Sequence, residues 1–110
     1  MELELLEIIQ KAIDEKKGED IVTFDVTGRN PFYDHVVIAT VGNIKLANAV
    51  IDEIEKNLHL VNHEINHIEG LTNDSKWVLI DCNGIIVHLF TQEERARVNL
   101  EDLLTKATKR

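Results

Sequence analysis

Hydrophobic positions along the 110 residues switch period several times, and each switch marks an element. From Leu3 to Lys17 the apolar residues Leu3, Leu6, Ile9 and Ile13 recur at helical spacing between acids and lysines. The acids come early and Lys16-Lys17 come late, which suits the helix dipole, and Gly18 is placed to stop the helix. Ile21 to Val26 is rich in β-branched residues and predicts a strand. A loop follows from Thr27 to Tyr33, with Gly28 and the single proline, Pro31. His35 to Thr40 is a short continuous apolar run of the kind found in a strand buried on both faces.

Gly42-Asn43 opens a second helix, with Asn43 as its expected N-cap. Ala47, Val50, Ile51, Ile54 and Leu58 form the inward stripe of that helix. Glu64 to Ile68 predicts a short strand, and Gly70 to Ser75 a turn. Trp77–Cys82 and Ile85–Phe90 are two strands flanking Asn83-Gly84, a pair that tolerates the positive φ of a tight hairpin. Thr91-Gln92-Glu93-Glu94 matches a capping box and starts a short helix. Asn99 is placed to cap a last helix carrying Leu100, Leu103 and Leu104. The expected order is α-β-β-α-β-β-β-α-α. With more strands than crossover helices, the fold class is α/β with a mixed five-stranded sheet and helices packed against it.

Length and composition narrow this further. One domain spans residues 1–110, and 44% hydrophobic residues suffice for a core without staples. Cys82 is the only cysteine, so no intrachain disulfide forms and a reducing compartment is the simpler setting. No apolar run reaches the length of a membrane span, and Met1-Glu2-Leu3-Glu4 lacks the basic start of a signal peptide. A cytoplasmic protein is expected. The net charge is −8, from 12 basic and 20 acidic residues. That balance opposes direct gripping of nucleic acid, which needs a basic face, and suits a basic protein partner.

One segment invites an enzymatic reading. His63-Glu64-Ile65-Asn66-His67 is a literal H-E-x-x-H, and His59 lies four residues earlier. On a helix, that spacing puts two imidazoles on one face to bind zinc, with the glutamate activating water. Here the segment is crowded between a helix end and the Gly70 turn, where a short strand or loop fits as well. Surface histidines near a helix end account for it more simply. Cys82 falls inside a strand and suits a core position. Asp25, Asp34 and Asp81 are separate acids at strand ends, positions that usually form caps and turns. No glycine-rich phosphate loop is present. The inventory implies neither a catalytic residue nor a cofactor, with a metal-dependent enzyme as the alternative.

The run Trp77-Val78-Leu79-Ile80-Asp81-Cys82-Asn83-Gly84-Ile85-Ile86-Val87-His88-Leu89-Phe90 resembles the signature of the Iojap family of ribosomal silencing factors. That signature is a tryptophan, an apolar strand ending in aspartate, a glycine turn and a strand ending in Val-His-apolar-Phe. Ala12 to Ile21, Asp25-Val26, Asp34 to Thr40, Glu69-Gly70, Glu93-Glu94-Arg95 and Asn99-Leu100-Glu101 resemble further family segments in the same order. The chain departs from the pattern at Asn43-Ile44-Lys45, at Arg97-Val98 and at Leu104, where the family carries Ser-x-Arg, an aromatic pair and a tryptophan. The resemblance implies a nucleotidyltransferase-like fold without its catalytic residues. Gly42-Asn43 stands where those enzymes have Gly-Ser, and no expected strand carries two acids at alternate positions. It also implies a function. Such proteins dock on a ribosomal protein, L-fourteen, at the interface face of the large subunit. They block subunit joining and repress translation when nutrients are short. A homodimer is a further expectation from the family.

Strand alternation supplies a candidate docking face. Trp77, Leu79 and Asp81 point one way and Val78 and Ile80 the other, while Ile86, His88 and Phe90 alternate against Ile85, Val87 and Leu89. The partner-binding set is therefore Trp77, Leu79, Asp81, Ile86, His88 and Phe90, a mix of aromatic and polar groups typical of interface hot spots. Equally compatible with the residues alone, Trp77 is core and Asp81 pairs with His88.

Overall fold

The computed structural model describes residues 2–72 and 74–108. The elements follow the expected order: α1 (Glu2–Glu15), β1 (Glu19–Asp25), β2 (His35–Thr40), α2 (Ile44–His59), β3 (His67–Glu69), β4 (Trp77–Asp81), β5 (Ile85–Phe90), α3 (Gln92–Val98) and α4 (Leu100–Thr108). The strands form one mixed sheet in the order β1-β2-β5-β4-β3. Its one parallel pair is β2 with β5, linked through α2 and the strands beyond it. The other neighbours are antiparallel.

The central strands β2 and β5 are apolar on both faces because both faces are covered. On one face, Val37, Ala39, Val78, Ile80, Val87 and Leu89 meet α1 and α2. Ile9, Ile13, Val50, Ile54 and Leu58 from those helices have no solvent exposure. On the other face a smaller cluster forms from Val26, Val36, Ile38 and Phe90, against which Val98, Leu100 and Leu104 pack. The sheet thus carries a full helical layer on one side and a partial one on the other.

Local signals explain most boundaries. Asn43 caps α2 by accepting from the Leu46 amide at 3.0 Å, and Thr91 caps α3 by accepting from the Glu94 amide. Asn83 and Gly84 take φ of 56° and 110°, and the Cys82 amide donates to the Ile85 carbonyl across the turn at 2.9 Å. Asp25 and Asp81 accept from the amides two residues on, Thr27 and Asn83, as turn formers do.

Four expectations need correction. Leu3 is not on the inward stripe of α1: it is 71% exposed, and Leu5 and Ala12 take the buried places. At 100° per residue Leu3 lies roughly 120° from the centre of the stripe. The left-handed residue ending α1 is Lys17, with φ 69°, not Gly18. Gly18 follows it, donating to the Ile13 carbonyl at 2.8 Å, and must be glycine because a Cβ there would run into the Ile13 side chain. The third strand is shorter and later than Glu64–Ile68, since 61–66 leave the sheet and pairing begins at His67 opposite Asp81. Asn99 adopts φ 50° and closes α3 by donating to the Arg95 carbonyl, while its own carbonyl receives the Asp102 amide of α4. It is a joint between two helices rather than a simple N-cap.

Candidate sheet-face docking site

The six residues Trp77, Leu79, Asp81, Ile86, His88 and Phe90 share the face opposite α1 and α2. Register makes them three facing pairs: Trp77 with Phe90, Leu79 with His88, and Asp81 with Ile86. They differ in depth. Phe90 has no exposure, and His88 and Ile86 are 8% and 9% exposed, whereas Trp77, Leu79 and Asp81 are half-buried. Phe90 therefore cannot touch a partner. It supports Trp77 from below, ring centroids 4.9 Å apart, and anchors α3 and α4 through Val98, Leu100 and Leu104.

The polar pairing differs from an Asp81–His88 contact. Trp77 Nε1 donates to His88 Nδ1 at 3.0 Å. The cause lies in register: His88 sits opposite Leu79, one diagonal step from Trp77, and the long indole spans that step while an aspartate two residues beyond Leu79 does not. Asp81 instead accepts from the Asn83 amide at 3.0 Å and from the Asn66 side-chain amide at 3.2 Å. Burial pulls the His88 imidazole from its ordinary 6.5 to about 4, so it is neutral at physiological pH.

Around Trp77 and Leu79 the face opens into a shallow cavity of about 270 Å³ whose wall also includes Glu69 and Gly70. Gly70 has φ 89°, and a Cβ there would collide with the Trp77 carbonyl, so this glycine allows the chain to pass close beside the tryptophan. Glu69, hydrogen-bonded to His67 at 3.0 Å, is the acid of this wall, and Asp81 lies two residues beyond Leu79 on the same face.

A further anchor was not legible in the sequence. Arg95 of α3 donates to the Thr40 hydroxyl at 2.8 Å and to Glu101 of α4 at 2.7 Å, tying both C-terminal helices to the end of β2. The hydrogen bond from Arg95 holds the Glu101 carboxyl below the usual range. Thr40 and Arg95 lie 55 residues apart, and no local pattern joins them.

The H-E-x-x-H segment is not helical. His63 Nε2 donates to the Cys82 carbonyl at 2.8 Å, while His67 lies on β3 and pairs with Glu69. Among the described residues no group of three His, Cys, Asp or Glu side chains is arranged to hold a metal ion. Cys82 is buried, and desolvation pushes its thiol up to about 12, which suppresses the nucleophilic thiolate. At the start of α2 the Asn43 side chain is spent on capping. No helix among the described residues is long and apolar enough to cross a membrane.

Comparison with known proteins agrees with this architecture. Residues 2–110 match the family model described as "Ribosomal silencing factor during starvation". A ribosomal silencing factor of Halalkalibacterium halodurans is 35% identical over 100 residues, covering 91% of this chain and 85% of the relative. That of Bacillus subtilis is 31% identical over 99 residues, covering 90% and 83%. A crystal structure from Bacillus halodurans, 35% identical, superposes with a TM-score of 0.78 over 92% of this chain and 93% of the other. One from Chromobacterium violaceum, 22% identical, shares the fold with a TM-score of 0.85 over 94% and 85%. The chain belongs to the family of ribosomal silencing factors that act during starvation.

Proposed function

We propose that this chain represses translation by docking on the large ribosomal subunit through the sheet face built on β4 and β5, and that it thereby keeps the small subunit from joining. The partner is a basic ribosomal protein at the subunit interface, L-fourteen by family resemblance. Docking occurs under nutrient limitation. The observation that carries the reading is the uneven covering of the sheet. α1 and α2 close one face, whereas the other leaves Trp77 and Leu79 half-buried beside a cavity walled by Glu69, with Asp81 further along the face.

Apolar anchors beside charged groups are the composition of a protein-binding surface, and these acids and the net charge of −8 favour a basic partner over rRNA phosphates. Trp77, Leu79 and Asp81 make the broad contact, His88 shows only a ring edge between them, Ile86 lies behind, and Phe90 supports Trp77. Silencing then needs no chemistry. A body 37 × 35 × 20 Å seated on a subunit contact excludes the other subunit by volume.

Co-sedimentation with purified large subunits tests the face. Trp77→Ala and Asp81→Arg should leave the protein folded, as judged by circular dichroism, and abolish co-sedimentation. Unchanged co-sedimentation of both variants would refute this face.

A further inference from the structure

The Trp77–His88 hydrogen bond fixes more than a ring position. An indole N–H donates and cannot accept, so His88 Nδ1 must be the accepting nitrogen. In a neutral imidazole the proton then resides on Nε2. His88 lies between apolar neighbours, Leu79 on β4 and Ile38 on β2, and its ring stacks with Phe90 at an interplanar angle of 13°. Its orientation is set from three sides.

The Nε2–H is left over. No hydrogen bond within the described residues engages it. Yet every fully buried side-chain nitrogen and oxygen among the described residues has a partner. Nε2 therefore reaches solvent, on the face where His88 sits. The result is a directed donor in the apolar part of the face, with the acceptors Glu69 and Asp81 further out on the same face. A donor so placed is costly if a partner covers it without accepting from it.

We propose that His88 Nε2–H reads the docking partner by donating to one of its carbonyl oxygens, with Trp77 acting as the positioning residue that fixes the tautomer. The inference rests on the docking reading above. A carbonyl suits the site better than a carboxylate, because Glu69 and Asp81 on the same face repel a negative group.

The test uses purified large subunits and the full chain, with affinities read by fluorescence anisotropy. In a Trp77→Phe background no indole N–H is left in need of an acceptor, so adding His88→Leu removes the imidazole N–H from the face without stranding a buried donor. The double variant should bind at least tenfold more weakly than Trp77→Phe alone. His88→Gln, whose amide retains an N–H near the Nε2 position, should bind within about threefold of the unaltered chain. Equal affinities for Trp77→Phe and Trp77→Phe/His88→Leu would overturn the inference while leaving the face intact. Failure of the unaltered chain to bind, or unchanged binding by Asp81→Arg, would overturn the docking reading and this inference with it. Nitrogen-15 shifts of the free protein give a check independent of variant folding: the Nε2–H tautomer of His88 supports the inference, and the Nδ1–H tautomer overturns it.

Discussion

Acidification should weaken this fold through His88 by an amount the structure sets. The folded protein keeps His88 neutral until about pH 4, whereas the unfolded chain takes up its proton below the ordinary value of 6.5. Above 6.5 neither state is protonated there and His88 makes no pH-dependent contribution. Between 6.5 and 4 the unfolded state holds one more proton, so stability falls as pH falls. The slope is about 1.4 kcal/mol per pH unit, giving a loss of about 2 kcal/mol by pH 5 and about 3 kcal/mol by pH 4. His88 is 8% exposed, so solvent screening reduces this little. The assay is urea unfolding at pH 7.5, 6 and 5 for the unaltered chain and for His88→Gln. Carboxylates and the other histidines are common to both proteins and cancel in the difference. The unaltered chain should lose about 2 kcal/mol more than His88→Gln between pH 7.5 and 5. Parallel stability curves, or the His88 imidazole itself titrating near 6.5 in the folded protein, would refute the reasoning.

Two further sets of variants test the anchor of the C-terminal helices and the start of α2. Arg95→Ala removes a charged donor from the buried Thr40 hydroxyl, worth about 1.5–3 kcal/mol, and a part-exposed pair with Glu101 worth about 0.5 kcal/mol. Urea midpoints should show a total loss of about 2–3 kcal/mol. Arg95→Ala and Thr40→Val should also be non-additive, because they remove the same bond. Asn43→Ala should cost about 1 kcal/mol by loss of the α2 cap, and Asn43→Ser should restore most of it, measured in the same way.

The order of elements was legible because each rests on local pattern: Asn83-Gly84 for the hairpin, Asn43 and Thr91 for helix starts, and the apolar run at β2. The sharing of one face by Trp77, Leu79, Asp81, Ile86, His88 and Phe90 was legible for the same reason, since strand side chains alternate with period two. Alternation does not say what covers a face. That α3 and α4 bury Phe90 yet leave Leu79 open depends on the bend at Asn99 and on Arg95 reaching Thr40. Both are tertiary outcomes. Nor does alternation give the reach of a side chain across a diagonal. The Trp77–His88 bond, in place of an Asp81–His88 pair, follows from register and indole length together. The H-E-x-x-H pattern misleads because its chemistry needs a helix, and this segment leaves one at His59.

We propose that this member of the ribosomal silencing factor family acts by occupying the large-subunit interface through its β4–β5 face. Light scattering of separated subunits, mixed at joining magnesium concentration with and without the protein, tests it most directly. Joined ribosomes should fall in proportion to large subunits occupied, and Asp81→Arg should leave joining intact. Full joining with the large subunits saturated by the unaltered chain would contradict it.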